Sequence, residues 1–192
     1  MPKSRPSSTS TPATGRQVAL LRGINVGRAK RVAMADLRAL VERLGFGEVQ
    51  TLLNSGNVVY AAGRVSPRAA AARIEAAVAS ELGVRARVFA LAAAELAEIV
   101  AGNPLATVAD DPSRLFVCVY AEPAVRSRLA LLPAPRRPEA FGVGARAAYL
   151  WCPDGLLRSA LGETVLSRLG DAVTTRNWRT ILKLQALVSA PE

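Results

Sequence analysis

Two hydrophobic rhythms alternate along this chain. Met34, Leu37, Leu40, Val41 and Leu44 recur at the spacing of one helical face before Gly45, which predicts a helix over 34–44. Apolar runs at 18–21, 49–53, 58–61 and 87–91 have strand length, and the Asn-Ser-Gly-Asn at 54–57 separates two of them with hairpin-loop residue types. Ser66 and Pro67 open an Ala-rich helix to residue 82, with Gly83 after it. The order is β-α-β-β-α-β.

A helix over 93–101 stops at Gly102-Asn103-Pro104, and the pattern then begins again. A strand at 115–120, a helix at 123–131 and a proline-rich break at 133–138 precede strands at 139–143 and 147–152. A helix at 156–169, a strand at 172–175 and a closing helix at 178–188 complete the chain. The repeated order predicts an α+β fold of two ferredoxin-like halves with antiparallel sheets, each with its two crossover helices on one face, plus a C-terminal helix. The expected segments are a tail at 1–16, a first half at 17–92, a connecting helix and linker at 93–113, and a second half with the closing helix at 114–192. A Rossmann arrangement is disfavoured, because strands follow one another directly in both halves and no glycine fingerprint marks the first turn.

In the second half Phe116, Cys118 and Tyr120 alternate with Leu115, Val117 and Val119, and Tyr149 and Trp151 alternate with Leu150 and Cys152. This predicts one aliphatic and one aromatic sheet face. Helices would cover the aliphatic face, leaving the aromatic one to pack on the first half or to stack bases.

Composition adds charge to this frame. The 192 residues carry 25 basic and 15 acidic side chains, a net charge of +10. Residues 1–16 are rich in Ser, Thr, Pro and Ala, carry Lys3, Arg5 and Arg16 without an acid, and read as a disordered tail. Removing those three charges from +10 leaves +7 on the remainder, so the folded part is itself basic and favours anionic partners such as nucleic acid, nucleotides or acidic metabolites. The competing reading is a solvated Arg-rich surface. No apolar run is long enough to span a bilayer and the opening residues lack the apolar centre of a secretory signal, so a cytoplasmic protein with no membrane partner is expected.

The chain contains no His, which removes imidazole general bases, Ser-His and Cys-His nucleophile pairs and imidazole metal ligands. Cys118 and Cys152 fall in apolar strand runs and read as small buried hydrophobes. No acid pair has the setting for proton transfer or a hard-metal cage. No cofactor or metal is expected.

Candidate chemistry gathers in polar stretches where the apolar strands end. Leu-Arg-Gly-Ile-Asn-Val-Gly at 21–27 continues through Arg28, Ala29, Lys30 and Arg31. Its amides and cations between a strand and a helix suit an anion, although the spacing of a P-loop is absent. Candidate ligand contacts here are Arg22, Gly23, Asn25, Gly27, Arg28 and Lys30. Asn54, Ser55 and Asn57 of the hairpin offer amide and hydroxyl groups, and the same residue types are what a tight turn demands. Thr-Thr-Arg-Asn-Trp at 174–178 offers Arg176 and Asn177; a capping role accounts for Asn177, whereas Arg176 has a planar five-donor head suited to phosphate or carboxylate. Arg158 and Ser159 repeat the theme near another helix start.

These motifs, with Met-Ala-Asp-Leu at 34–37 and Lys183-Leu184, resemble the bacterial domain of unknown function 1697 family over residues 17–188. The resemblance implies the doubled ferredoxin-like arrangement and brings no reaction, catalytic residue or cofactor. The family's Gly-Arg-Ser-Lys-Leu run reads here Leu157-Arg158-Ser159-Ala160-Leu161, keeping Arg158 and Ser159. The leading expectation is a noncatalytic protein that binds an anionic ligand, nucleic acid or a nucleotide, through the Arg, Asn and Gly positions named. An enzyme acting on a phosphorylated or carboxylated small molecule by positioning and electrostatics and a protein-interaction module remain as alternatives.

Overall fold

Strand β1 (Arg16–Leu21) is apolar on both faces: Val18, Ala19, Leu20 and Leu21 are all fully buried. A strand of this kind needs cover on both sides of its sheet, and the architecture follows from that need. The computed structural model describes residues 15–26 and 31–190. The expected tail, as far as residue 14, lies outside the described residues.

The chain continues through α1 (Met34–Arg43), β2 (Gly47–Leu52), β3 (Asn57–Ala61), α2 (Pro67–Glu81), β4 (Val88–Ala92) and α3 (Ala93–Ala101). Then come β5 (Leu115–Tyr120), α4 (Pro123–Ala130), β6 (Ala140–Val143), β7 (Ala147–Trp151), α5 (Ala160–Leu169), β8 (Val173–Asn177) and α6 (Trp178–Val188). The strands form two four-stranded antiparallel sheets, ordered β2-β3-β1-β4 and β6-β7-β5-β8. Each order is the ferredoxin-like one, and the two halves repeat it.

Three apolar layers cover these sheets. Ala19, Leu21, Val58 and Tyr60 face α1 and α2, where they meet Leu37, Leu40, Ile74 and Val78. Cys118, Leu150 and Cys152 face α4 and α5, against Val125, Leu129, Leu161 and Val165. Between the sheets, Val18, Leu20, Val59, Phe89 and Leu91 share a cluster with Leu115, Val117, Val119, Tyr149 and Trp151. Helices α3 and α6 belong to this central layer through Leu96, Ile99, Ile181 and Leu184, and α6 packs on β1 and β3 of one sheet and β5 and β8 of the other.

Several expectations are corrected. The register sets Phe116 opposite Leu150 and Val117 opposite Tyr149, so neither face of the second sheet is wholly aliphatic or aromatic. Phe116 and Tyr120 turn toward α4 and α5, while Tyr149 and Trp151 enter the central layer. That face packs on the first half and offers no stacking platform. The helix expected over 156–169 is a 3-10 turn at Leu156–Arg158 followed by α5, because Ser159 leaves helical geometry (φ −91°, ψ 125°) to cap the new helix. The last strand, expected at 172–175, is Val173–Asn177, so Arg176 and Asn177 lie in an edge strand. Arg16, assigned to the tail, opens β1: it pairs with Ala61, its guanidinium donates to the Leu187 carbonyl (2.9 Å), and it forms an ion pair with Glu48.

Candidate functional site

The three polar stretches meet at the guanidinium of Arg176. Antiparallel pairing of β8 with β5 sets Arg176 opposite Val117 and so directs its side chain to the inter-sheet side. There Nε donates to Asn57 Oδ1. One terminal nitrogen donates to Thr174 Oγ1 (3.1 Å) and the Thr175 carbonyl (2.8 Å), the other to the carbonyls of Leu21 (2.8 Å) and Ser55 (2.9 Å). Arg176 is 8% exposed, and every one of these acceptors is neutral. Burial pulls its pKa down to about 10, the direction expected for a cation taken out of water.

Neighbouring side chains lock the backbone that surrounds this cation. Asn57 is fully buried and donates through Nδ2 to the Leu52 carbonyl (2.8 Å) and Ser55 Oγ (2.9 Å). Asn25 donates to the carbonyls of Val32 (2.9 Å) and Asn54 (2.8 Å), and its Oδ1 accepts from the Val32 amide (2.8 Å). Arg22 crosses to the second half, donating to Asp171 Oδ1 (3.0 Å) and the Val173 carbonyl (2.7 Å). Gly56 is required at its position: φ is +72°, and a Cβ there would lie 2.7 Å from Ile24 Cδ1 and 2.8 Å from Leu21 Cβ.

Arg22, Asn25, Asn54, Ser55, Asn57 and Arg176 are therefore brought together, and Gly23 adjoins them with φ +67°. The remaining predicted site residues are placed otherwise. Asn177 caps α6, accepting from the Thr180 amide (2.9 Å) and hydroxyl (2.7 Å). Ser159 caps α5, accepting from the Gly162 amide (2.8 Å). Arg158 is exposed beside that cap and has no side-chain bond to a described residue. Gly27, Arg28 and Lys30 lie outside the described residues. Arg176 needs a correction of role: its donors, expected to face an anion, are all engaged within the fold.

Beside this knot runs an open groove of about 1840 Å³. Strand β4 and α2 form one side, β8 and the β5–α4 corner the other, and Arg22, Gly23 and Ser55 adjoin it. Six arginines line it (Arg22, Arg68, Arg85, Arg87, Arg146 and Arg176) against four acids, Glu75, Glu95, Glu122 and Asp171. Three of the arginines are paired, Arg22 with Asp171 (3.0 Å), Arg87 with Glu75 (3.7 Å) and Arg146 with Glu95 (2.8 Å). Arg68 and Arg85 are exposed and pair with no described acid. Sequence reasoning missed Arg68, Arg85, Arg87 and Arg146. The first of these opens a helix, and Arg85 and Arg87 alternate with the buried Val84, Ala86 and Val88, a period-2 signal that was readable.

Both cysteines are buried free thiols. Burial pushes Cys118 up to about 12 and also raises Cys152, which suits packing and not nucleophilic chemistry. Among the described residues no group of three His, Cys, Asp or Glu side chains is placed to hold a metal ion, and no helix is long and apolar enough to cross a membrane.

Comparison with known proteins bears on fold and family. The conserved bacterial protein SP0830 from Streptococcus pneumoniae has a similar structure, with a TM-score of 0.74 at 22% identity over 91% of this chain and 99% of that one. At such identity the likeness speaks for the fold alone. No curated protein matches the sequence. The family model described as Protein of unknown function (DUF1697) matches residues 15–149, ending ahead of the third polar motif. That match spans well over half of the chain, which belongs to the DUF1697 family.

Proposed function

We propose that this protein is a noncatalytic binder of an anionic ligand, a nucleic-acid strand, held along the arginine-lined groove. The observation that carries the reading is the charge balance of that groove. Arg176 places a buried cation without a carboxylate in its wall, and Arg68 and Arg85 stand unpaired on its rim. A low-dielectric wall focuses such a field toward the groove and attracts anions into it. Size points the same way: 1840 Å³ exceeds the roughly 300–1,000 Å³ usual for a small-molecule pocket and suits a segment of polymer.

The test is fluorescence anisotropy with mixed-sequence single-stranded RNA and DNA across a salt series. Affinity should fall steeply with salt as counterions are released. Arg68→Glu combined with Arg85→Glu should weaken binding by about ten-fold or more and flatten the salt slope by roughly one per cation removed. The melting temperature should hold, since both side chains are exposed. No binding of either strand at low salt removes the nucleic-acid reading.

A further inference from the structure

Two exposed aliphatic side chains line the groove, and one is held in an unfavourable backbone conformation. Leu53 has φ +57° and is 53% exposed; Val26 is 72% exposed. Both line the same groove as Arg22, Gly23 and Ser55. A residue with a Cβ is disfavoured in the left-handed region, where Gly or Asn would normally be found. Such strain persists where the surroundings over-determine it.

Here they do. The hairpin turn that carries Leu53 is fastened on both sides, by Asn25 donating to the Asn54 carbonyl and by Arg176 donating to the Ser55 carbonyl. The same turn is also held at Gly56, which sits against Ile24 and Leu21 with no room for a Cβ. The fold covers only about half of Leu53. It lines the same groove as the arginines that would hold phosphates.

We propose that Leu53 and Val26 form an apolar step on which a nucleobase of the bound strand packs while its backbone phosphates face the groove arginines. The inference rests on the nucleic-acid reading above and adds a specificity element to it. Base faces are apolar and planar, and an apolar surface bordered by cations matches a nucleotide unit better than it matches a bare polyanion. Because the turn is clamped before any ligand arrives, the step is preorganised and little ordering cost falls on binding.

The experiment compares a mixed-sequence single-stranded DNA with an abasic deoxyribose-phosphate strand of equal length, read by competition anisotropy at low salt. The wild-type protein should prefer the base-bearing strand by about ten-fold. In Leu53→Gly and in Val26→Ser that preference should collapse to within about two-fold. Leu53→Gly relieves the positive φ, which offsets the backbone entropy of Gly and the lost partial packing, so the melting temperature should stay within about 4 °C of the parent. Val26→Ser, at a position 72% exposed, should leave it unchanged, so lost preference is not lost folding. Equal affinity of the wild-type protein for both strands overturns the apolar step while leaving the anion reading in place. A preference that survives Leu53→Gly and Val26→Ser overturns it equally. Failure of both strands to bind, with single-stranded RNA in the same assay failing too, overturns the nucleic-acid reading, and the step with it; if RNA alone binds, the same base-bearing against abasic comparison is read with ribose strands.

Discussion

Arg176 shows how one residue can be conspicuous in sequence and still be misread. Its planar five-donor head among Thr, Asn and Trp marked it as a ligand contact, whereas in the structure it is buried and its donors serve the fold. Its partners were not legible: Asn57 lies 119 positions away and Leu21 lies 155 away, and no periodicity links residues so distant. The arginine binds the first half to the second by hydrogen bonds from one charged group to neutral acceptors, which are stronger than neutral pairs. Replacing it by Met should cost about 2–5 kcal/mol, because the Leu21 carbonyl and Asn57 Oδ1 would be left buried without this donor. Arg176→Lys should recover less than half of that loss, since an ammonium cannot reproduce the planar five-donor fork. Urea denaturation midpoints read both effects; a Met variant within about 1 kcal/mol of the parent would show that the knot does not hold the halves together. Gly56, by contrast, was legible as a turn glycine, though its contact with Ile24 and Leu21 was not.

At the scale of elements, the predicted helices and strands exist and, apart from the helix expected over 156–169, lie close to their expected bounds, because periodicity and the Gly, Pro and Ser signals are local. What was not local was not legible. The Ser159 cap interrupted an otherwise uniform helical pattern, and α3 and α6, read as a connector and an appendage, proved to be the central layer. Edge strands β4 and β8 show a second device hidden from sequence. The Arg22 amide donates to the Arg87 carbonyl (2.8 Å), so antiparallel alternation turns the amides of Val88, Ala90 and Ala92 outward. Glu75 accepts from Val88 and Glu95 accepts from Ala92, both at 2.9 Å. On β8, the outward carbonyls of Val173 and Thr175 accept from Arg22 and Arg176. Side chains thus occupy edges that would otherwise template pairing with another chain. Glu75→Ala combined with Glu95→Ala should bare the β4 edge and shift sedimentation velocity profiles toward concentration-dependent association. A variant that sediments as the parent does at every concentration would show that the groove, rather than the two glutamates, protects this edge.

For the whole molecule, the repeat of one βαββαβ unit poses the question of whether two units unfold separately. The distribution of apolar burial answers it. Each sheet keeps one face for its own crossover helices, but the other face of both is covered by a shared cluster that includes Leu96, Ile99, Ile181 and Leu184. Sheet one exposed on that side would present Val18, Leu20, Val59, Phe89 and Leu91 to water, and sheet two would present Leu115, Val117, Val119, Tyr149 and Trp151. At roughly 1.5–3 kcal/mol for each large apolar side chain exposed, that loss exceeds the whole margin of about 5–15 kcal/mol by which a domain is stable. Neither half has the means to survive alone, so unfolding is expected as one cooperative transition. Leu184→Ala is a direct probe, since Leu184 is fully buried in α6 between the sheets. It should cost about 2–5 kcal/mol and lower hydrogen-exchange protection equally in β1 and β3 and in β5 and β7. Loss confined to β5 and β7 would mean that the first half folds independently, and that the groove between the halves can open without unfolding either.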